Sequence, residues 1–257
     1  MPYALITGAS RGIGRAIAEE LAHRKFDVLL VARSEAALRE ICQAISQQHG
    51  VKTDYLALDL SAAESPQQVV DWCAQKGYVI NMLVNNAGYG LSGNFETQSL
   101  GDNTNMVQLN ALALMQLCQL FLPQLKQHSK AYILNIVSTA AYQAVPGLGL
   151  YAATKAFVLS LSRSLSYELR GTSVSVTAVS PGATDTAFVE RAQIGEKGLK
   201  AAKQVNMSPE AVAKAAISAT LGSQTEVVVG WLNKLTIFLV WLLPKSLIEK
   251  LAAGIYE

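Results

Sequence analysis

The chain has 257 residues, 51% of them apolar and 16% charged, with a formal charge of +2. That size and apolarity suit one large α/β domain or two small ones with a substantial core, and Lys and Arg scattered without a basic stripe argue against nucleic acid as a partner. Cys42, Cys73 and Cys118 lie far apart without CxxC spacing, and His23, His49 and His128 are isolated, so buried thiols in a reducing compartment are expected and no metal site.

The opening MPYALITGAS runs directly into an apolar strand without a basic, then hydrophobic leader, which points to the cytoplasm rather than to secretion. No apolar run is expected to reach the ~20 residues of a spanning helix. Short β-type runs at Tyr3–Thr7, Asp27–Ala32, Thr53–Leu58, Asn81–Val84, Ala131–Val137, Val174–Val179 and Glu226–Val229 alternate with helical patterns. The predicted helices are Ile13–Arg24, Glu35–His49, Glu64–Lys76, Thr104–Lys126, Tyr151–Leu169 and Pro209–Leu221, the last opened by Ser208 as cap and Pro209 in the first turn. Strands such as VLLVA and ILNIV are apolar on both faces, as a parallel sheet covered by helices on each side requires. The alternation predicts a doubly wound, Rossmann-type parallel sheet of about seven strands in a single domain.

The first strand ends in TGASRGIG, which sets Gly8, Gly12 and Gly14 before a helix, with Ser10, Arg11 and Ile13 between them. Glycines let the backbone turn tightly against a pyrophosphate, and the helix N-terminus adds amide donors and a favourable dipole. The spacing Gly-x-x-x-Gly-x-Gly differs from the common Gly-x-Gly-x-x-Gly fingerprint. An acid at the end of the second strand would hold a ribose 2′-hydroxyl, but Asp27 begins that strand and its carboxyl end reads Ala32-Arg33-Ser34. Arg33 and Arg11 can instead pair with a 2′-phosphate, which favours NADP over NAD.

Asp59-Leu60, closing the third strand, offers a carboxylate to an adenine amino group. Asn86, Ala87 and Gly88 follow the fourth strand, where small residues admit a ribose and amides pin neighbouring loops. Asn110 is a lone polar residue in the apolar VQLNALAL, suited either to holding a water near a catalytic group or to service as a satisfied core amide. Ser138 ends the fifth strand, Tyr151 lies 13 residues on, and Lys155 shares its helix face four residues later. A free phenol ionises near pKa ~10, and lowering that by about three units requires roughly 4 kcal/mol, much of which an ammonium one helical turn away can supply. Ser138 can then hold a substrate oxygen while Tyr151 gives or takes its proton.

These residues in this order, with Pro181-Gly182 beyond them, resemble the short-chain dehydrogenase/reductase family over about residues 3 to 230. The resemblance implies Tyr151 as general acid/base, Ser138 as orienter of the carbonyl or hydroxyl, Lys155 on the nicotinamide ribose and Asn110 in a proton relay. Pro181, Gly182 and Thr184 would flank the nicotinamide, with Thr186 assisting. The implied activity is hydride transfer between NADP(H) and a carbonyl or alcohol in a homo-oligomer, and an apolar lid would make that substrate lipophilic. A non-catalytic dinucleotide-binding regulator or membrane-surface scaffold is the alternative. The substrate segment would be residues 183–205, carrying Phe188, Arg191 and Ile194, with Tyr89, Tyr142 and Val145 as further pocket walls.

The pattern departs after residue 230, so that residues 1–230 form the oxidoreductase domain and 231–257 an apolar tail. Trp231 to Leu243 as a helix would be about 20 Å long, too short for the ~30 Å hydrocarbon core of a bilayer. It is apolar nearly all round and must be covered by something. A subunit interface, a pocket lid or peripheral attachment to a membrane surface, with Trp231 and Trp241 as interfacial anchors, would each do so.

Overall fold

The computed structural model describes residues 2–184 and 207–256. In chain order they form β1 (Tyr3–Thr7), α1 (Gly12–His23), β2 (Asp27–Ala32), α2 (Glu35–His49), β3 (Thr53–Ala57), α3 (Ser65–Gln75) and β4 (Ile80–Asn85). There follow α4 (Leu100–Val107), a π-helical stretch (Gln108–Ala113), α5 (Leu114–Leu125), β5 (Ala131–Ile136), a 3₁₀ turn (Thr139–Tyr142), α6 (Gly149–Glu168) and β6 (Val174–Ser180). The described chain ends with α7 (Pro209–Leu221), β7 (Glu226–Val228), α8 (Trp231–Leu242) and α9 (Lys245–Tyr256).

The seven strands lie in the order β3-β2-β1-β4-β5-β6-β7, all parallel, in one Rossmann-type sheet with helices on both faces. One apolar layer packs Ile17 and Leu21 of α1, Leu38 and Ile41 of α2 and Ile217 of α7 against the sheet. The opposite layer uses Val69 of α3, Leu117 and Phe121 of α5 and Val158 of α6. The order in which strands are added reverses between β1 and β4, and the loops leaving their carboxyl ends open a crevice there.

The predicted helix Thr104–Lys126 begins earlier, at Leu100, because Ser99 caps it by accepting from the Asp102 amide at 3.4 Å. Its run Leu100–Leu125 is, against expectation, long and apolar enough by length and composition to cross a membrane. Leu114, Leu117, Cys118, Phe121 and Leu125 are nevertheless buried in the core of this fold. The π-helical stretch at Gln108–Ala113 interrupts the helix and carries Asn110; such bulges disturb the regular hydrogen-bond ladder and recur at functional sites. Asp27 sits at the amino end of β2, where its carboxylate accepts from the Lys52 amide at 2.8 Å. All three cysteines are free and buried.

Sequence patterning does not reveal the polar seam that joins β4, β5 and α6. Asn85 Nδ2 donates to Asn135 Oδ1 at 2.9 Å, Asn135 Nδ2 to Ser162 Oγ at 2.8 Å, and Ser162 Oγ to the Val158 carbonyl at 2.7 Å. Buried amides need partners, and these three side chains lock the register of two strands and the helix that carries Tyr151 and Lys155.

Candidate active site

A cleft of about 950 Å³ runs along the carboxyl edge of the sheet from Arg33 and Asp59, past Gly8–Ile13, to Ser138, Tyr151 and Lys155. At its closed floor, Asn86 holds the glycine loop: its Nδ2 donates to the carbonyls of Thr7 at 3.0 Å and Gly8 at 3.2 Å. The Thr7 hydroxyl accepts the Asn86 and Ala87 amides at 3.0 and 3.1 Å and donates to the Val84 carbonyl at 3.2 Å. Gly8 turns at φ +66°, and a Cβ there would lie 2.8 Å from Ala87 Cα, so both conformation and space demand glycine. Gly14 packs beneath the loop against the Gly8 carbonyl, while Gly8, Ser10, Arg11, Gly12 and Ile13 face the cleft.

No side chain caps α1, and its first turn carries no acid, in contrast to α2 with Ser34 and α7 with Ser208. The leading amides of α1 therefore present an uncompensated positive end to the cleft, which fits an anionic pyrophosphate. At the mouth of the same end, Arg33 Nη1 stands 3.8 Å from Asp59 Oδ2, both side chains half exposed. Asp59 also accepts from the Ser61 hydroxyl at 2.8 Å and the Ser61 amide at 3.0 Å. Leu60 lies buried beside them and lines the wall.

At the other end, Tyr151 and Lys155 come from successive turns of α6 and both line the cleft. Lys155 is 4% exposed, its Nζ donates to the Ile136 carbonyl at 2.9 Å and lies 5.8 Å from the centre of the Tyr151 ring. Burial pulls its pKa down from 10.5 to about 8, leaving the ammonium the main form at neutral pH. Across ~6 Å at an effective dielectric of ~20, that charge favours an ionised ring by about 3 kcal/mol. Ser138 caps the 3₁₀ turn by accepting from the Ala140 amide at 3.1 Å and faces the same space.

Asn110 is buried with its amide committed to protein partners. Its Oδ1 accepts from the Tyr89 amide at 3.0 Å, and its Nδ2 donates to the Tyr89 carbonyl at 2.8 Å and Thr154 Oγ1 at 3.1 Å. It thus ties the loop after Gly88 to α6. A Cβ on Gly88 would meet Asn110 Oδ1 at 3.0 Å and Lys155 Nζ at 3.6 Å, which shows how close the three stand.

Tyr89 and Val145 line the cleft as expected, but Tyr142 does not. Its hydroxyl donates to Glu226 Oε1 at 2.7 Å and lies 3.1 Å from Ser180 Oγ. Arg163 of α6 grips the same carboxylate with two bonds, at 2.6 and 2.9 Å. This trio clamps the turn that begins at Ser138 to both β7 and α6. Burial works to raise the Glu226 pKa, yet the bonds from Arg163 and Tyr142, with the Arg163 charge, hold it below its ordinary value.

Pro181, Gly182 and Thr184 line the same cleft as Tyr151 and Lys155, with the Thr184 hydroxyl donating to the Gly182 carbonyl at 3.1 Å. Thr186 and residues 185–205 of the expected substrate segment, including Phe188, Arg191 and Ile194, lie outside the described residues. The tail lies where the expected pocket lid would, and it supplies lining residues that the sequence did not single out. A Cβ at Gly182 would fall 2.5 Å from Asn233 Nδ2, so α8 sits directly on the Pro181–Gly182 turn. Asn233 Nδ2 itself donates to the Val229 carbonyl at 2.7 Å. Leu232, Thr236, Ile237, Leu239 and Val240 of α8, with Ile248 and Ala252 of α9, complete an apolar wall over the cleft. Among the described residues no three His, Cys, Asp or Glu side chains gather as a metal site would require.

This architecture is that of a dinucleotide-dependent oxidoreductase. Residues 2–197 match the family model for short chain dehydrogenase, and the chain belongs to that family. It is 32% identical over 263 residues to a very-long-chain 3-oxoacyl-CoA reductase-B of Danio rerio, covering 98% of this chain and 79% of that one. A short-chain dehydrogenase from Sphingobium yanoikuyae, solved with NADPH, superposes with a TM-score of 0.79 at 33% identity over 89% of this chain and 87% of that one. One from Burkholderia phymatum, solved with NAD, superposes at 0.82 with 25% identity, covering 93% and 92%. The protein is an NAD(P)-dependent oxidoreductase acting on the CH–OH/C=O couple.

Proposed function

We propose that the enzyme reduces a lipophilic ketone or aldehyde with NADPH, or runs the reverse oxidation, with Tyr151 as general acid/base. The observation that carries this reading is the meeting of Tyr151, Lys155 and Ser138 at one end of a cleft whose other end is the glycine loop. Gly8, Ser10, Arg11, Gly12 and Ile13 would hold the pyrophosphate, with Gly14 packed below them. Arg33 and Arg11 would read a 2′-phosphate, Asp59 and Leu60 the adenine, and Asn86, Ala87 and Gly88 the adenosine-side ribose. Pro181, Gly182, Thr184 and Thr186 would border the nicotinamide, and Lys155 its ribose. When bound, the cofactor supplies the hydride that reaches the carbonyl carbon.

Ser138 then hydrogen-bonds the carbonyl oxygen, and Tyr151 gives that oxygen its proton as negative charge develops there. Lys155 favours the tyrosinate left behind. Asn110 keeps the Gly88–Tyr89 loop against α6, so that any part in a proton relay would be to position Lys155 and the loop beside it rather than to carry the proton on its side chain. The apolar wall from α8 and α9 supports a lipophilic substrate, and the 3-oxoacyl-CoA reductase relative supports a ketone on an acyl chain. In this reading the tail, residues 231–257, roofs the domain formed by 1–230, and the enzyme is a homo-oligomer of the cytoplasm or of a membrane surface.

Tyr151→Phe tests it. Turnover should fall by about 10²–10⁴ while the affinity for NADPH, followed by fluorescence titration, stays unchanged. Wild-type turnover in the variant would remove the tyrosine from the chemistry.

A further inference from the structure

Helix α8 is apolar on two opposite sides, and only one of them has a use in the active site. On a wheel of about 3.6 residues per turn, Leu232, Asn233, Thr236, Ile237, Leu239 and Val240 fall on the half that lines the cleft. Trp231, Lys234, Leu235, Phe238, Trp241 and Leu242 fall on the other half. Trp231 is 72% exposed, Phe238 55% and Trp241 79%, with Leu235 and Leu242 also exposed. No acid lies on this outward face, whereas Lys234 does, and exposed Lys245 follows at the start of α9.

We propose that the outward face of α8 docks on an anionic lipid bilayer surface; the corollary that substrate reaches the cleft from that bilayer rests on the lipophilic-substrate reading above. Three observations select the bilayer as occupant. A helix of 12 residues rises about 18 Å and cannot span the ~30 Å hydrocarbon layer, so it lies along the interface. Tryptophans at both ends of α8 suit the headgroup level, where an aromatic body meets a polar boundary. The charge on α8 itself is cationic, Lys234 with no acid on that helix, and on α9 Lys245 and Lys250 outnumber the one acid between them, Glu249, which complements anionic headgroups. A second copy meeting this face about a two-fold axis would instead bring Lys234 toward its own equivalent with no acid on α8 to neutralise either. The two faces are also continuous: Leu232, Leu239 and Leu251 line the cleft and are at the same time exposed. An acyl chain entering along this wall would meet these leucines at its boundary.

The experiment is co-sedimentation of the full chain with vesicles of phosphatidylcholine alone and of phosphatidylcholine mixed with phosphatidylglycerol. The comparison is the double variant Phe238→Ser, Trp241→Ser. Wild type should partition onto the mixed vesicles more strongly than onto the neutral ones, and more weakly as salt rises. The variant should lose at least about a hundredfold in partition coefficient, equivalent to about 2.8 kcal/mol, because two large apolar side chains no longer leave water. Neither side chain lines the cleft, so turnover of a water-soluble ketone without vesicles should match wild type, and an unchanged thermal melt would show the variant folded. Partitioning that is absent, or equal in variant and wild type, overturns the proposal. So does a wild-type dimer, seen by analytical ultracentrifugation, that the variant converts to monomer. Failure of the carbonyl-reductase reading looks different: vesicle binding lost on substitution, with no NADPH-dependent turnover of any ketone by wild type, leaves the docking standing.

Discussion

Replacing Lys155 with Met should weaken catalysis and, at neutral pH, relieve a cost to folding, and the pH dependence separates the two effects. The ammonium is buried with a folded pKa of about 8 against 10.5 when unfolded. Below about pH 8 both states carry the proton and the folded state bears the full cost of burying charge, roughly 3 kcal/mol. Between about pH 8 and 10.5 the unfolded chain holds more protons than the folded one, so stability rises with pH and the cost fades. The variant lacks this term. It also loses the bond to the Ile136 carbonyl, 2.9 Å long in wild type, a loss that does not vary with pH while the lysine stays charged. The test is urea unfolding of both proteins at about pH 7 and pH 10. The variant's stability relative to wild type should fall by about 2.5 kcal/mol between the two values. The same charge favours ionised Tyr151 by about 3 kcal/mol, so kcat/KM for reduction should drop about a hundredfold in the variant. In wild type kcat/KM should decline above about pH 8, as the free enzyme loses the ammonium. A stability difference independent of pH, together with near-normal turnover, would refute the assignment of a charged, buried Lys155 to the site.

Two further substitutions address the ends of the cleft. Arg33→Asp removes the half-exposed partner of Asp59 and sets a carboxylate where a 2′-phosphate would approach. The ratio of kcat/KM for NADPH over NADH should fall by about ten- to a hundredfold, with little change in stability because exposed ion pairs contribute little; an unaltered ratio would remove Arg33 from cofactor selection. Glu226→Gln loosens the hold of Arg163 and Tyr142 on the Ser138 turn, so kcat should drop several-fold while NADPH affinity is kept. Since the folded Glu226 pKa lies below its ordinary 4.5, its stabilisation is present above that value and disappears as pH falls through the folded one. Wild type and variant should therefore differ in denaturant midpoint at neutral pH and converge in acid; a constant gap would count against the carboxylate as the source.

The alternation of strands and helices was legible because each element writes its own period: two-sided apolar runs for buried parallel strands, a 3.6-residue stripe for the helices. The turn of the glycine loop and the shared helix face of Tyr151 and Lys155 were legible for the same reason, each being set within a few residues of chain. Local order also carried the Ser208 cap and the apolar character of the tail. What tertiary structure alone decided were the meetings of distant residues. Glu226 finds Tyr142 and Arg163 across 84 and 63 positions. Asn110 holds Tyr89 and Thr154 across 21 and 44, which an isolated polar residue in an apolar helix cannot announce. Tyr142 turned from pocket wall to clamp because an acid on β7 reached its hydroxyl. The tail's sequence stated that it must be covered, while its place over Gly182 depended on Asn233 fitting a gap that only glycine leaves. Periodicity is set by neighbours along the chain; packing partners are set by which surfaces remain after the sheet has closed its core.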